Sequence, residues 1–334
     1  MSARTVLLDY PADDTVAAMQ LGGMSVVERL VREAARAGAQ RVVIRAAADR
    51  LPTLPGPTAR PPLTVPIERL DPGAIAPAEA EVVPADVVAG VRITDEASRR
   101  RAWAALLQSC RRPYDGLGDR YVGRAMSLRL TRVLLRLRAT PNQVTVANIV
   151  VGLAACVAAT VGTRAMFALA GALIVLQVVL DSCDGELARL RHMYSKLGMW
   201  LDNLGDDVVD NLFVACLGIG LGGVWAPVAI AAAAGRGLVA LMIYVAVARA
   251  GQPGDVMAFR WWFDKPDDTP TERFVARMTP LTLVRAVGRR DLYTLVWGAS
   301  CLATVPAGAC GLGIAVCVAY VGMGLGQTVS KGWR

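Results

Sequence analysis

The sequence predicts two parts that fold differently: a small cytoplasmic α/β (Rossmann-like) domain and, after it, an all-α domain of six transmembrane helices. Short alternating strand and helix patterns fill roughly the first hundred residues. From about residue 144 the chain carries long stretches rich in Ala, Val, Leu and Gly, each near the ~20 residues that cross a bilayer. We therefore expect an α/β domain over residues 1–110, an interfacial helix within 111–140 and a membrane domain over 141–334.

Composition excludes several classes of function. Hydrophobic residues make up 54% of the 334 residues, which is high for a soluble protein, and the net charge is +8. The basic residues flank apolar stretches, so they indicate a membrane surface and anionic phosphate groups, with no nucleic acid as a partner. One histidine and seven cysteines without a C-x-x-C pair argue against a Cys/His zinc site.

The first 45 residues predict a β-α-β unit. Residues 4–9 are typical of a strand, and Ser25 to Ala37 of a helix that begins with an S-x-x-E capping box and stops at Gly38. Arg41–Arg45 is typical of a second, parallel strand. No secretory signal pattern precedes this unit, so we expect it to stay in the cytoplasm.

Residues 21–44 are similar to the second element of sugar-nucleotide and cytidylyltransferase domains. Those enzymes have a Gly-rich basic loop after the first strand, which grips the nucleotide phosphates. Here that place, residues 9–20, is acidic and lacks the glycines, so triphosphate binding has no obvious support. We interpret this part as a degenerate nucleotidyltransferase-like domain with a structural or regulatory role; a catalytic role is the alternative.

An amphipathic helix is predicted over residues 115–138. Its apolar residues recur at helical spacing, and its arginines occupy another face; the apolar set is Met126, Leu130, Val133, Leu134 and Leu137. Such a helix beside a membrane span most simply lies in the lipid interface.

Six apolar stretches are predicted to cross the cytoplasmic membrane. They are roughly 144–162, 165–188, 199–221, 224–248, 291–306 and 309–329. The connections on one side carry almost no charge, whereas those on the other side are rich in Arg and Lys. This asymmetry places both termini and the larger loops in the cytoplasm.

Four aspartates lie near the cytoplasmic ends of the second and third stretches. Asp181 and Asp184 are three residues apart, and Asp202 and Asp206 four apart, so each pair shares one helix face. The connection is short, so the two acidic faces can meet between antiparallel neighbours. Acidic residues in a membrane cost several kcal/mol each unless they are paired or bind a cation. The pattern predicts a hard-cation site for Mg²⁺ or Mn²⁺.

The spacing of these residues resembles the signature of the CDP-alcohol phosphotransferases at every fixed position: Asp181-x-x-Asp184-Gly185-x-x-Ala188-Arg189, eight residues, then Gly198-x-x-x-Asp202-x-x-x-Asp206. The segment Thr140–Thr145 also resembles the one that enters the family's first span. The resemblance covers roughly residues 111–330.

That resemblance implies a six-helix, usually dimeric membrane enzyme that moves a phosphoalcohol group from a CDP-linked donor to a hydroxyl and releases CMP. Asp181, Asp184 and Asp202 would hold metal, with two ions expected. Asp206 would be the general base and would also touch metal. The residues expected to frame the nucleotide are Asn142, Thr145, Asp181, Asp184, Gly185, Ala188, Arg189 and Gly198.

Three arginines are candidates for the acceptor. Arg236 falls near the middle of the fourth stretch, where an unpaired cation is costly, so it either binds an acceptor phosphate or makes a structural pair. Arg289 and Arg290 precede the fifth stretch and either bind a phosphate of the acceptor or serve as ordinary positive-inside anchors. Asp210 continues the Asp202/Asp206 face and is expected to pair with a basic or polar residue.

The sequence therefore favours transfer of a phosphatidyl group from CDP-diacylglycerol to a polar acceptor such as inositol phosphate. The segment Arg112–Gly116 resembles inositol-lipid and di-inositol-phosphate synthases. One alternative is a bifunctional enzyme whose first domain makes a soluble CDP-alcohol, such as CDP-inositol, that the membrane domain consumes. A second alternative is a cation transporter that uses the four aspartates as an ion site.

Overall fold

The computed structural model describes residues 4–11, 14–55, 62–63, 65–111, 118, 123–252, 255–264 and 289–333. The chain divides into two compact units. The first comprises residues 1–111, 133–138 and 186–194, and the second comprises 112–132, 139–185 and 195–334. The two units are described separately.

A four-stranded parallel sheet forms the centre of the first unit. Its strands are β1 Thr5–Asp9, β4 Arg41–Arg45, β5 Ile67–Leu70 and β6 Glu81–Val83, arranged in the order β5-β4-β1-β6. Two small antiparallel pairs accompany it: β2 Gln20–Leu21 with β3 Met24–Ser25, and β7 Val87–Val88 with β8 Val91–Arg92. Most side chains of β1 and β4 are buried, as expected for a parallel sheet covered on both faces. The predicted small α/β domain is confirmed.

Helix α1, Val26–Arg36, begins and ends where the sequence predicts. Ser25 caps it by accepting a hydrogen bond from the Glu28 backbone N–H at 3.3 Å. The Glu28 carboxylate pairs with Arg32, four residues on, at 2.9 Å. Of the two hydrogen bonds of the predicted capping box, the one accepted by the Ser25 hydroxyl is present. The Glu28 side chain makes an i,i+4 ion pair instead of the second one. Gly38 adopts a positive φ of 91° after the last turn, as a helix-ending glycine does.

Helix α2, Glu96–Gln108, follows the small strands and begins with a complete capping box between Asp95 and Ser98. The first unit also contains residues 186–194, the end of a long helix and the connection after it. Two hydrogen bonds within the unit fix this segment: Arg29 Nη2 donates to the Leu190 carbonyl at 2.8 Å, and Arg191 Nη2 donates to the Leu135 carbonyl at 2.9 Å.

His192, in this same segment, has a left-handed backbone, with φ at 53°. Burial, together with the nearby Arg29, Arg32 and Arg36, lowers the pKa of its imidazole to about 4. The imidazole is therefore neutral at pH 7.

Helices make up the second unit. They are α4 Pro141–Thr160, α5 Arg164–Leu190, α6 Lys196–Leu221, α7 Trp225–Arg249, α8 Arg290–Leu302 and α9 Pro306–Ser330, and the last five residues of α5 belong to the first unit. Thr140 and Gln143 form a capping box at the start of α4, and Pro141 occupies the first turn, where its missing N–H has no cost. Phe213 and Trp297, both fully buried, pack 5.7 Å apart at the centre of the apolar core.

Glycines let α4 and α6 approach closely. A Cβ at Gly152 would lie 2.5 Å from a Val209 methyl group, and one at Gly205 would lie 2.5 Å from Ile149. At Gly220 the neighbour is the backbone carbonyl oxygen of Ala159, which has no rotamer by which to move. Small residues at helix contacts are the usual means of bringing membrane helices together.

Four helices of the described residues are long and apolar enough to cross a membrane: α4, α5, α7 and α9. They correspond to the first, second, fourth and sixth predicted spans. Helix α6 has 26 residues but carries the acidic cluster, and α8 has 13 residues. Six spans and their sidedness therefore stay predictions.

Helix α3, Arg124–Arg136, corresponds to the predicted amphipathic helix. The predicted apolar face is largely unused for packing within the chain, since Met126, Val133 and Leu137 are exposed. Another face, unpredicted, is buried and partly polar; it contains Ser127 and Thr131. An exposed apolar face is what an interfacial helix needs, and its membrane location stays a prediction. The segment 112–116 lies outside the described residues.

We expect low pH to destabilise the protein through His192. Its pKa of about 4 lies below the ordinary value of about 6.5, so the unfolded chain binds this proton more readily. The stability given by the neutral imidazole is complete above about pH 6.5 and is lost as the pH falls towards 4. Thermal unfolding in detergent should show a smaller loss between pH 7 and pH 5 in His192→Asn, which tolerates the left-handed backbone, than in the wild type. His192 is the chain's one histidine, so equal pH dependence would contradict the assignment.

We expect Gly220→Ala to destabilise the membrane domain because the added methyl group meets the Ala159 carbonyl. Overpacking of this kind costs about 1–3 kcal/mol. The same change at Gly322, where an added Cβ would have nothing within 4 Å, is the matched control. Thermal unfolding followed by size-exclusion chromatography should show a lower midpoint for Gly220→Ala alone, and equal midpoints would be the contrary result.

Candidate active site

Two helices bring the predicted aspartates together. Asp181 lies in α5, and Asp202 and Asp206 lie in α6. One carboxylate oxygen from each of these three residues lies within 4.8 Å of the others. The predicted meeting of the two acidic faces is therefore observed, and we call these three residues the carboxylate cluster.

Asp184 shares the face of Asp181 but has its own partner. Thr145, in α4, donates its hydroxyl to Asp184 Oδ2 at 2.5 Å. The same hydroxyl lies 3.2 Å from the Pro141 carbonyl one turn earlier in α4. Both side chains are buried. The structure thus joins two residues that were predicted separately as nucleotide ligands, and the metal role of Asp184 stays a prediction.

Asn148 is a site residue that sequence reasoning missed. It is fully buried in α4, and its Nδ2 lies 3.5 Å from Asp206 Oδ1. Its own Oδ1 is buried, and no residue that the structure describes donates a hydrogen bond to it. The sequence did contain an indication of this role, because Asn148 follows the predicted nucleotide ligand Thr145 by three residues and shares its helix face.

Arg290 is a cation in direct contact with the cluster. From the first turn of α8, its Nη1 lies 2.5 Å from Asp206 Oδ2 and 3.2 Å from Asp181 Oδ2. Its Nε lies 3.3 Å from Asp210 Oδ2. The guanidinium fork therefore joins the predicted base, a predicted metal ligand and the deeper Asp210.

A buried polar network lies beyond the cluster along α6. Asp210 is 1% exposed and accepts hydrogen bonds from the Tyr293 hydroxyl at 2.6 Å and from Arg236 Nη2 at 3.5 Å. Asp207 accepts from Arg236 at 3.2 Å and from the Tyr244 hydroxyl at 3.0 Å. This network satisfies charges that would be costly in a membrane interior.

Arg236 is thus held by partners inside the chain. Besides Asp207 and Asp210, its Nη1 contacts Asn211 Oδ1 at 3.3 Å, and its guanidinium lies 5.5 Å from the Tyr320 ring centre. The structural pair weighed for Arg236 is observed, and so is the expected pairing of Asp210. The acceptor-binding role of Arg236 stays a prediction.

The other predicted site residues have different surroundings. Arg289 pairs with Asp291 at 3.0 Å. Gly198, in the first turn of α6, donates its backbone N–H to the Ser195 hydroxyl at 2.8 Å, and a Cβ there would lie 2.6 Å from Asn142 Oδ1. Close packing against Asn142 therefore also favours glycine at position 198. Ala188 and Arg189 belong to the first unit, and the nucleotide roles of these residues and of Gly185 stay predictions.

The cluster fits a divalent metal by its chemistry. Its ligand atoms are all carboxylate oxygens, which suit Mg²⁺ and Mn²⁺. Asp202 Oδ1 is buried and has no hydrogen-bond partner among the described residues, so this oxygen has a lone pair available for a metal ion. Among the described residues, these three carboxylates share the Arg290 guanidinium, so a bound cation would balance the charge of the ionised cluster.

Comparison with known proteins identifies a family whose model matches this chain. The family model described as CDP-alcohol phosphatidyltransferase matches residues 138–321, which is just over half of the chain. These residues contain the carboxylate cluster, Thr145, Asn148 and Arg290.

Three similar relatives share one name, "Bifunctional IPC transferase and DIPP synthase". The protein of Thermococcus kodakarensis is 38% identical over 103 residues, 31% of this chain and 23% of the relative. That of Aquifex aeolicus is 34% identical over 111 residues, 33% and 25% of the two chains. That of Archaeoglobus fulgidus is 32% identical over 126 residues, 38% and 25%. The matched stretch thus spans about a quarter of each relative's length.

The residue spacing, the meeting of α5 and α6 and the family match agree with one another. The chain belongs to the CDP-alcohol phosphatidyltransferase family and is a transferase of phosphate-containing groups.

Proposed function

We propose that this protein transfers a phosphatidyl group from CDP-diacylglycerol to a hydroxyl of a polar acceptor such as inositol phosphate, and releases CMP. The observation that carries the proposal is the carboxylate cluster with Arg290 beside it. Membership of the family implies a CDP-linked donor and an alcohol acceptor.

The proposed metal site consists of Asp181, Asp184, Asp202 and Asp206, with Mg²⁺ or Mn²⁺ bound, two ions in all. When bound, the metal neutralises the donor diphosphate and makes CMP a competent leaving group. The small and polar residues around the cluster are proposed to frame the cytidine nucleotide.

Asp206 is proposed to act as the general base. Its carboxylate removes the proton of the acceptor hydroxyl as that oxygen attacks the phosphorus that bears the diacylglycerol. A new phosphorus–oxygen bond forms to the acceptor, and the bond from this phosphorus to the bridging oxygen of CMP breaks. Asn148 and Arg290 each contact one oxygen of Asp206, so the two residues fix the direction of the carboxylate.

Arg290 is proposed to contact the acceptor phosphate as well. Its fork is close to the proposed base, and a guanidinium suits bidentate phosphate binding. Arg236 is held by the buried network, which supports a positioning role, whereas Arg289 pairs with Asp291.

The proposed assembly is a homodimer in the cytoplasmic membrane, with the active site on the cytoplasmic side. The family resemblance supports the dimer, and the four long apolar helices support the membrane location. The excess of Arg and Lys in the loops on one side supports the orientation.

A bifunctional enzyme is the second candidate, and the relatives' shared name favours it. In this case the first domain would make a soluble CDP-alcohol such as CDP-inositol. At the carboxyl ends of β1 and β4, however, Arg45 pairs with Asp9 at 2.8 Å through its Nε, so this cation is already used. The pairing and the acidic sequence of residues 9–20 support a structural or regulatory first domain.

We expect Asp206→Asn to lower CMP release by roughly 10²–10⁴-fold, the usual contribution of a general base. Purified protein in detergent would be assayed with Mg²⁺ and CDP-diacylglycerol across a panel of polar alcohols. Asp71→Asn, at an exposed position of the first domain, is the matched control. Full activity in Asp206→Asn would contradict its role as base.

The same assay with soluble CDP-alcohols and with CTP separates the two candidates. CMP release from CDP-inositol, together with consumption of CTP by the full chain, would support the bifunctional enzyme and overturn the phosphatidyl donor. The absence of CMP release with every donor and acceptor would reject the transferase chemistry proposed for this chain.

We expect Arg290→Gln to raise the acceptor KM about tenfold or more because it removes a charge-assisted contact to phosphate. Arg249→Gln, at the exposed end of α7, is the matched control. The KM for donor and for acceptor would be measured separately. A rise equal in both variants, or one confined to the donor, would argue against this role of Arg290.

A further inference from the structure

A cavity of about 420 Å³ lies within the first unit, and all of its lining residues belong to that unit. Helix α1 supplies Arg29, Glu33 and Arg36, and the segment after α5 supplies His192 and Tyr194. Its volume falls within the range of roughly 300–1,000 Å³ that small-molecule sites occupy.

The charge of this lining is strongly positive. Among the described residues, the lining has three guanidinium groups, from Arg29, Arg36 and Arg189, and one carboxyl group, from Glu33. Burial raises the pKa of Glu33, and the nearby Arg29 opposes this shift. His192 is neutral at pH 7 and adds a polar group without a charge.

Arg29 is an unusual member of this lining. It is 1% exposed, and its Nη2 donates to two backbone carbonyls, those of Leu21 at 3.1 Å and Leu190 at 2.8 Å. Its Nε is buried and has no hydrogen-bond partner in the described part of the chain. Within the described ranges, no carboxylate lies within ion-pair distance of Arg29 or Arg36. Buried arginines are almost always paired with an anion, so this one indicates a missing counter-charge.

Arg36 and Tyr194 form another part of the wall. The guanidinium lies 4.3 Å from the centre of the tyrosine ring, and it also donates to the tyrosine hydroxyl. Stacking fixes the plane of the guanidinium, which reduces the entropy lost when it binds phosphate. Ala37, Leu106 and Leu190 add an apolar surface that suits the organic part of a ligand.

We propose that this cavity is a binding site for a small phosphate ester, such as a nucleoside monophosphate or a sugar phosphate. The phosphate lies against Arg29 and Arg36, and the organic group against the apolar wall. The proposal does not depend on the transferase chemistry proposed above, although Arg189 of this lining is also a predicted nucleotide ligand. Because Arg29 also bonds the last residue of α5, the ligand would stabilise the segment 186–194.

The test is direct binding to the full-length protein in detergent with EDTA, measured by calorimetry. CMP, inositol phosphate and inorganic phosphate would be titrated, with cytidine and inositol as unphosphorylated controls. We expect saturable binding of an ester and none of its unphosphorylated counterpart. Arg36→Gln should weaken this binding about tenfold or more, whereas Arg50→Gln, an exposed arginine of the same unit outside the cavity, should leave it unchanged.

Hydrogen exchange locates the ligand independently of activity. The bound ester should protect peptides covering residues 105–111 and 186–194, and this protection should be absent in Arg36→Gln. Glu33→Gln, which removes the counter-charge, should keep or tighten the binding.

Three results would overturn the proposal. The first is that no ester binds up to millimolar concentration. The second is that binding is equal in Arg36→Gln and wild type but is lost in Asp206→Asn, which would assign the binding to the transferase site. The third is that inorganic phosphate binds as tightly as the esters, which would leave no role for the apolar wall. Loss of CMP release with binding intact would count against the transferase proposal alone.

Discussion

The ion pairs of Arg290 are the interaction on which the candidate site depends. Carboxylates that lie close together in a membrane domain repel one another and lack water to screen them. Arg290 joins two members of the cluster and Asp210 with a single guanidinium, so α5, α6 and α8 are held at one point. The helix that supplies this cation begins with it, which places the charge at the edge of the apolar core.

The buried polar network next to the cluster also pairs charges inside the membrane domain. Asp207 and Asp210 are satisfied by Arg236, Tyr244 and Tyr293, which come from two further helices of the membrane domain, α7 and α8. A buried network whose charges are paired favours one arrangement of its helices, because another arrangement leaves a charge unpaired. The cluster therefore has a support on one side that is held by paired charges.

Local pattern was sufficient for β1, α1, β4 and the cluster, but not for β5 and β6, which lie in a stretch rich in Pro and Ala. The strand at Arg41–Arg45, the helix from Val26 and the shared faces of Asp181, Asp202 and Asp206 follow from spacing alone. Tyr244 and Tyr293 could not be found in this way, because each is distant in sequence from the carboxylate it contacts. Asn148 is equally distant from Asp206, and its place on the helix face of Thr145 was the one indication in the sequence. The buried polar face of α3 was missed for a related reason: the exposed apolar residues dominate its periodicity, and Ser127 and Thr131 become buried only through tertiary contacts.

All seven cysteines are free thiols, and six of them are buried. Cys110 alone precedes the helices of the membrane domain, and it is 2% exposed. The native chain therefore offers little background to a polar maleimide that cannot cross a lipid bilayer. Single reporter thiols placed in the turn at Gly222–Gly223 or beyond Arg249 could be labelled from either side of sealed vesicles, so the path of the chain through the bilayer can be mapped without first removing any natural residue.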